Sequence, residues 1–90
     1  MRESYIEGRV RTYVKKIGGH CIKINQAGYP DRVIALPGGK TLYLELKAPG
    51  EKPRKLQWHR IKCLREIGHN AEYADDFELA KRMIDNVNDG

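Results

Sequence analysis

At 90 residues the chain has room for one domain and no more, and a domain this small buries only about 60% of its unfolded surface. A net charge of +5 and a pI near 9.4 favour polyanionic partners, although they also suit an ordinary solvated surface. No apolar run approaches the length of a membrane span and no secretory leader is visible, so an intracellular, cytoplasmic setting is expected.

Residues 4–17 predict the first helix. Ile6, Val10, Tyr13, Val14 and Ile17 recur at helical spacing, and Gly18-Gly19 stops the run. Glu7 borders this apolar stripe. Ser4-X-X-Glu7 also has the form of a capping box, in which the glutamate would bond back to the Ser4 amide. A cap glutamate has no need to border a buried face, so a second role stays open. His20–Gln26 predicts a short strand with Ile22 and Ile24 on one side.

Gly28-Tyr29-Pro30-Asp31 predicts a turn that delivers Asp31 to the head of the next strand. Pro30 keeps Tyr29 extended, and Gly28 allows close backbone approach. Alone, Asp31 would pass for an ordinary turn residue. Val33–Leu36 and Thr41–Leu44 then form a hairpin around Pro37-Gly38-Gly39-Lys40, whose glycines can take the positive φ of a tight reversal. Leu42, Leu44 and Leu46 share one face of the second strand. Glu45 and Lys47 share the other, where a shielded pair is tolerable only if matched or bound to metal. The fold-back brings Asp31 to the same end. Two carboxylates and one ammonium therefore converge, and hard oxygen ligands of this kind suit Mg²⁺ or Mn²⁺.

Ala48–Pro53 breaks the strand. Lys52, Arg54 and Lys55 crowd beside the acidic end of the hairpin, which favours a phosphate grip over a merely solvated loop. Arg54–Ile67 predicts the second helix, with Gln57, Ile61 and Leu64 on one face; Gln57 either joins the site or satisfies a strand-end backbone group. Trp58 reads as packing or an interface residue. His20-Cys21 and the His59/Cys63 pair lack the paired short spacings of a zinc site, and both cysteines read as buried free thiols. Ala71–Ala74 predicts a fourth strand. Asp75 or Asp76 then caps a last helix, Phe77–Val87. The order is α-β-β-β-α-β-α, an α/β chain with a mixed sheet flanked by helices.

Pro30-Asp31 followed by Glu45-Leu46-Lys47 resembles the PD-(D/E)XK nuclease superfamily. Glu7, Gly28-Tyr29, and Gln57-Trp58 narrow the likeness to VRR-NUC domains, which are similar to Holliday junction resolvases. The resemblance covers roughly residues 3–75, and Arg32 departs from it, since relatives commonly carry an apolar residue there. It implies a restriction-endonuclease-like core, residues 1–90 forming a single VRR-NUC-like domain. It implies Asp31, Glu45 and the Leu46 carbonyl as metal ligands, with Lys47, Glu7 and Gln57 completing the catalytic set. It further implies a metal-dependent endodeoxyribonuclease, acting as a homodimer on branched DNA such as four-way junctions, without a small-molecule cofactor. Three alternatives stand beside this reading. One is a basic nucleic-acid-binding module without catalysis. Another is a flap or duplex nuclease that borrows specificity from a partner. The last is a restriction-like nuclease, for whose recognition loops there is little room.

Overall fold

The computed structural model describes residues 2–90. Helix α1 (Glu3–Lys16) leads into β1 (His20–Lys23), β2 (Arg32–Leu36) and β3 (Lys40–Leu46). Helix α2 (Lys55–Glu66), β4 (Asn70–Ala74) and α3 (Phe77–Asp89) follow. The sheet order is β1-β2-β3-β4. The first two pairings are antiparallel, and β3 and β4 run parallel with α2 as the crossover. The α-β-β-β-α-β-α order and mixed sheet are as the sequence predicts.

One face of the sheet carries the main core. Ile34, Leu36, Leu42, Leu44 and Leu46 meet Ile6, Val10 and Val14 of α1 and Ala80 and Ile84 of α3. The leucine face of β3 is the reason this layer closes: three side chains at period two present a continuous apolar strip to two helices. Helix α2 lies on the opposite face, towards β4. Ile61 is fully buried there, and the Trp58 ring meets Tyr73 edge-on at 5.8 Å. Among the described residues no helix is long and apolar enough to cross a membrane.

The β2–β3 reversal runs through one 3₁₀ turn, Pro37–Gly39, with φ of +79° at Gly38 and +76° at Gly39. Two successive left-handed residues are what a Gly-Gly pair supplies at little steric cost. Strand β1 is shorter than expected and stops at Lys23. Asn25, Gln26 and Ala27 are exposed and offer nothing to bury, and the Tyr29 amide closes a turn on the Gln26 carbonyl at 3.3 Å. Gly28 sits in that turn at φ +81°, where an added Cβ would lie 2.7 Å from the Leu56 side chain. The turn before Asp31 therefore presses on the start of α2.

The expected capping box at Ser4 and Glu7 does not form. Helix α1 begins one residue earlier, with Arg2 at the N-cap and no side-chain cap bond. At the other end of the chain Asp76 caps α3 as predicted, its Oδ1 accepting the Leu79 amide at 2.8 Å.

Candidate active site

Arg32 of β2 pairs with Leu44 of β3, so Asp31 stands directly across from Glu45. The two residues clasp each other. The Asp31 amide donates to Glu45 Oε1 at 3.1 Å, and the Leu46 amide donates to Asp31 Oδ1 at 3.3 Å. Glu45 is only 3% exposed, far more buried than a charge facing away from the leucine core would be. Gln57 explains this: α2 passes over that face, and Gln57 Nε2 donates to Glu45 Oε2 at 3.0 Å. Lys47 Nζ lies 3.2 Å from the same oxygen. Each carboxylate oxygen of Glu45 thus has a partner, which is what a buried charge requires.

Gln57 lies against Glu45, and its backbone partner is the N-cap amide of its own helix rather than a strand end. Its Oε1 accepts the Arg54 amide at 2.8 Å, the backbone half of a capping box, while its amide nitrogen holds Glu45. Arg54 has no acceptor in its side chain and returns no bond. Lys52, Arg54 and Lys55 are exposed in the segment that links β3 to α2, at the same end of the sheet.

The carboxylates remain under-neutralised. Burial pushes the Asp31 carboxyl above its ordinary range, against the opposing pull of the Arg32 guanidinium. Burial and then the Asp31 charge push Glu45 up, against Lys47. Glu3, at the first turn of α1, is raised by partial burial and then by Asp31, with Lys47 and Arg32 opposing. All three shifts are upward, so the folded protein holds these protons more tightly than the unfolded chain. The stability they contribute is complete below the ordinary carboxyl range, around pH 4, and is lost as pH rises through the raised values. In EDTA the protein is therefore expected to melt at a higher temperature at about pH 5 than at about pH 7, and Mg²⁺ at neutral pH should recover part of the difference. Thermal melts across that range check this; a midpoint that falls steadily on acidification from neutrality in EDTA would contradict it.

Glu7 is placed differently from Glu3. Its Oε2 lies 3.4 Å from Arg32 Nε and 3.6 Å from Arg11 Nε. Arg32 in turn is 3.5 Å from Asp31 Oδ2 and donates to the Asp31 carbonyl at 2.9 Å. Glu7 therefore reaches Asp31 through Arg32, as a brace. Arg32, the departure from the family pattern, is the link in that brace. Glu3, in the first turn of α1, feels the charges of both Asp31 and Lys47. It was legible in principle: Glu3 and Glu7 are four apart on one helical face, and Glu3 is nearer the helix end that meets the site.

The donor set fits a hard divalent cation. Asp31 and Glu45 offer carboxylate oxygens side by side, and the Asp31 charge adds to burial in raising the proton affinity of Glu45, the mark of negative charge seeking a cation. Glu45 Oε1 and Asp31 Oδ1, with one amide donor each, keep a lone pair for a cation. Among the described residues no group of three or more His, Cys, Asp and Glu side chains collects. Two carboxylates plus backbone carbonyl, water and phosphate oxygen is the ligand economy of Mg²⁺. His59 and Cys63 pair with each other on α2, Sγ to Nε2 at 3.5 Å, apart from this cluster.

A solved structure described as a VRR_NUC domain matches this fold with a TM-score of 0.83, at 23% identity, over 92% of this chain and 94% of that one. The architecture is thus that of the VRR-NUC class of restriction-endonuclease-like folds. No family model matches the sequence. The chain is 40% identical over 83 residues to "Putative nuclease p44" of Acyrthosiphon pisum secondary endosymbiont phage 1, covering 89% of each. At that identity and coverage the chain belongs to the family of this phage protein, and it has the VRR-NUC fold, as the Asp31 and Glu45-Leu46-Lys47 pattern predicts.

Proposed function

We propose that the chain is a Mg²⁺- or Mn²⁺-dependent DNA endonuclease that hydrolyses phosphodiester bonds. The observation that carries this is the clasp of half-buried Asp31 on buried Glu45, with Lys47 3.2 Å from Glu45. A solvated basic binding surface has no reason to bury Glu45 against a second, half-buried carboxylate, which weighs against a binding module without catalysis. Asp31, Glu45 and the Leu46 carbonyl would hold the cation. When bound it supplies charge neutralisation at the scissile phosphate and acidifies water. Lys47 orients the attacking water or donates to a phosphate oxygen. Attack forms one P–O bond and breaks another, and the departing sugar oxygen takes up a proton. Gln57 fixes the rotamer of Glu45, Glu3 adds negative potential, and Glu7 with Arg32 steadies Asp31. Omission of the divalent ion with excess EDTA tests the reading directly: cleavage that persists would remove it.

Lys52, Arg54 and Lys55 grip phosphates flanking the cut. Replacing Lys52 and Lys55 together by alanine should weaken duplex binding and flatten its log–log salt dependence by about 0.9 per lost contact. Metal binding should be unaffected. Fluorescence anisotropy across a salt series measures both; an unchanged slope would place the loop in bulk solvent.

The substrate we favour is branched DNA, in particular a four-way junction, cut by a homodimer. One chain carries one hydrolytic cluster. A two-fold dimer, the commonest soluble oligomer, supplies a second cluster and matches the approximate two-fold symmetry of the junction. Light scattering with and without junction DNA should give a dimer that nicks opposed strands. A strict monomer at micromolar concentration that cuts linear duplex equally well would favour instead a flap or duplex nuclease guided by a partner, and would leave the chemistry intact.

A further inference from the structure

We infer that the solvent-facing side of α1 is a second DNA contact, which receives the backbone of a duplex arm leaving the catalytic end. The choice of DNA rests on the nuclease reading above. Arg9, Arg11, Lys15 and Lys16 are all exposed on this helix. They flank two shallow grooves of about 510 and 290 Å³ that share Gly8 and Thr12 as their floor. Arg9 and Lys16 line one groove; Arg11 and Lys15 line the other.

Most of this charge is not spent inside the protein. Among the described residues Arg9, Lys15 and Lys16 form no ion pair. Arg11 approaches Glu7 at 3.6 Å but stays 66% exposed. The Arg9 guanidinium rests 4.0 Å from the Phe77 ring centre, which fixes its position without neutralising it. Four cations therefore stand along the last two-thirds of one helix, with Glu7 just before them the one acid among the described residues that pairs with any of them. That is an electrostatic imprint of a polyanion.

Position and direction select DNA. Glu7, in the first half of α1, holds Arg32 beside Asp31, so the start of the helix meets the site and its basic half leads away from it. A helix of 14 residues is about 21 Å long, and a duplex strand laid along it presents a phosphate about every 3.4 Å. DNA with a scissile phosphate at Asp31 and Glu45 meets basic surface along this face and along the 52–55 segment. Two cationic exits suit a substrate with more than one arm. A second copy of the chain fits poorly, because a two-fold contact here would set like charges against each other.

Gly8 makes the idea testable. Its backbone is ordinary helix, and an added Cβ would meet nothing within 4 Å, so the fold does not require glycine there. A mid-helix glycine is a poor helix former. Gly8→Leu should therefore raise the melting temperature while obstructing both grooves. In EDTA, anisotropy with a fluorescein-labelled four-way junction should show Gly8→Leu and Lys15→Ala/Lys16→Ala each binding about tenfold more weakly at about 0.1 M salt. The double lysine variant should also lose about 1.8 in log–log salt slope. Wild-type affinity and slope in both variants would overturn the inference. So would wild-type DNA affinity combined with lost binding to fluorescein-labelled polyglutamate, which would assign the face to an acidic polypeptide. Absence of Mg²⁺-dependent nicking by the wild type, with the predicted binding losses intact, would overturn the nuclease reading and leave this contact supported.

Discussion

Glu45→Gln is expected to abolish Mg²⁺-dependent DNA cleavage while the protein stays folded. The substitution keeps shape and removes one charge. Glu45 holds three donors at once: the Asp31 amide, the Gln57 amide nitrogen and Lys47. A glutamine can turn its oxygen to only one side, so one of these donors meets an NH₂ group. Metal affinity should fall by at least about 100-fold, since even residues one shell further out cost that much in metal sites. Cleavage should fall by about 10³-fold or more. Burial already disfavours the Glu45 charge, so the melting temperature in EDTA should move little. Calorimetric titration with Mg²⁺, thermal melting and a single-turnover gel assay separate these three effects. Full cleavage by Glu45→Gln would mean that the clasp is structural only.

Leu44→Ala is expected to be the most damaging single truncation for stability. Leu44 is fully buried in the main core, midway along β3. Truncating a buried leucine typically costs about 2–5 kcal/mol, by lost transfer energy and an unfilled cavity. Natural domains hold only about 0.05–0.15 kcal/mol per residue, so this chain has little margin. The consequence reaches the site because Glu45 is the next residue on the same strand. Urea denaturation should show a lower midpoint with an unchanged slope. A loss under about 1 kcal/mol would mean that the leucine face is not the packing surface described.

These outcomes trace to what local sequence can and cannot encode. The β2–β3 hairpin was readable because its signals are short-range. Gly38-Gly39 sets the reversal, alternation sets the faces, and the fold-back brings Asp31 to the same end as Glu45. The predicted pairing of 33–36 with 41–44 is one residue out of step with the observed register, which sets Asp31 across from Glu45. The Asp76 cap was readable for the same reason. The depth of Glu45 was not. A period-two pattern places it away from the leucines but does not say that α2 will cross above it. Gln57 does this from twelve residues away, through a crossover whose path depends on the whole sheet. Glu7 was singled out for bordering the apolar stripe, and it does border it. Its partner, however, is Arg32 on β2, and that pairing depends on how α1 sits on the sheet. Glu3 went unremarked because its relation to Asp31 and Lys47 also arises only after the helix docks. The end of β1 was missed because Ile24 still reads as strand; its amide does bond to the Asp31 carbonyl, at 2.9 Å, as the ladder runs out.

The central claim is that this hairpin end hydrolyses DNA with a divalent cation. Its most direct test is a panel of labelled four-way, nicked, flapped and linear DNAs incubated with the wild-type protein and resolved on denaturing gels. Parallel reactions contain Mg²⁺, Mn²⁺ or excess EDTA. The account predicts discrete strand cuts in Mg²⁺ or Mn²⁺, strongest on the four-way junction, and none in EDTA. Equal cutting in EDTA, or no cutting of any DNA in either metal by protein that binds the junction, would contradict it.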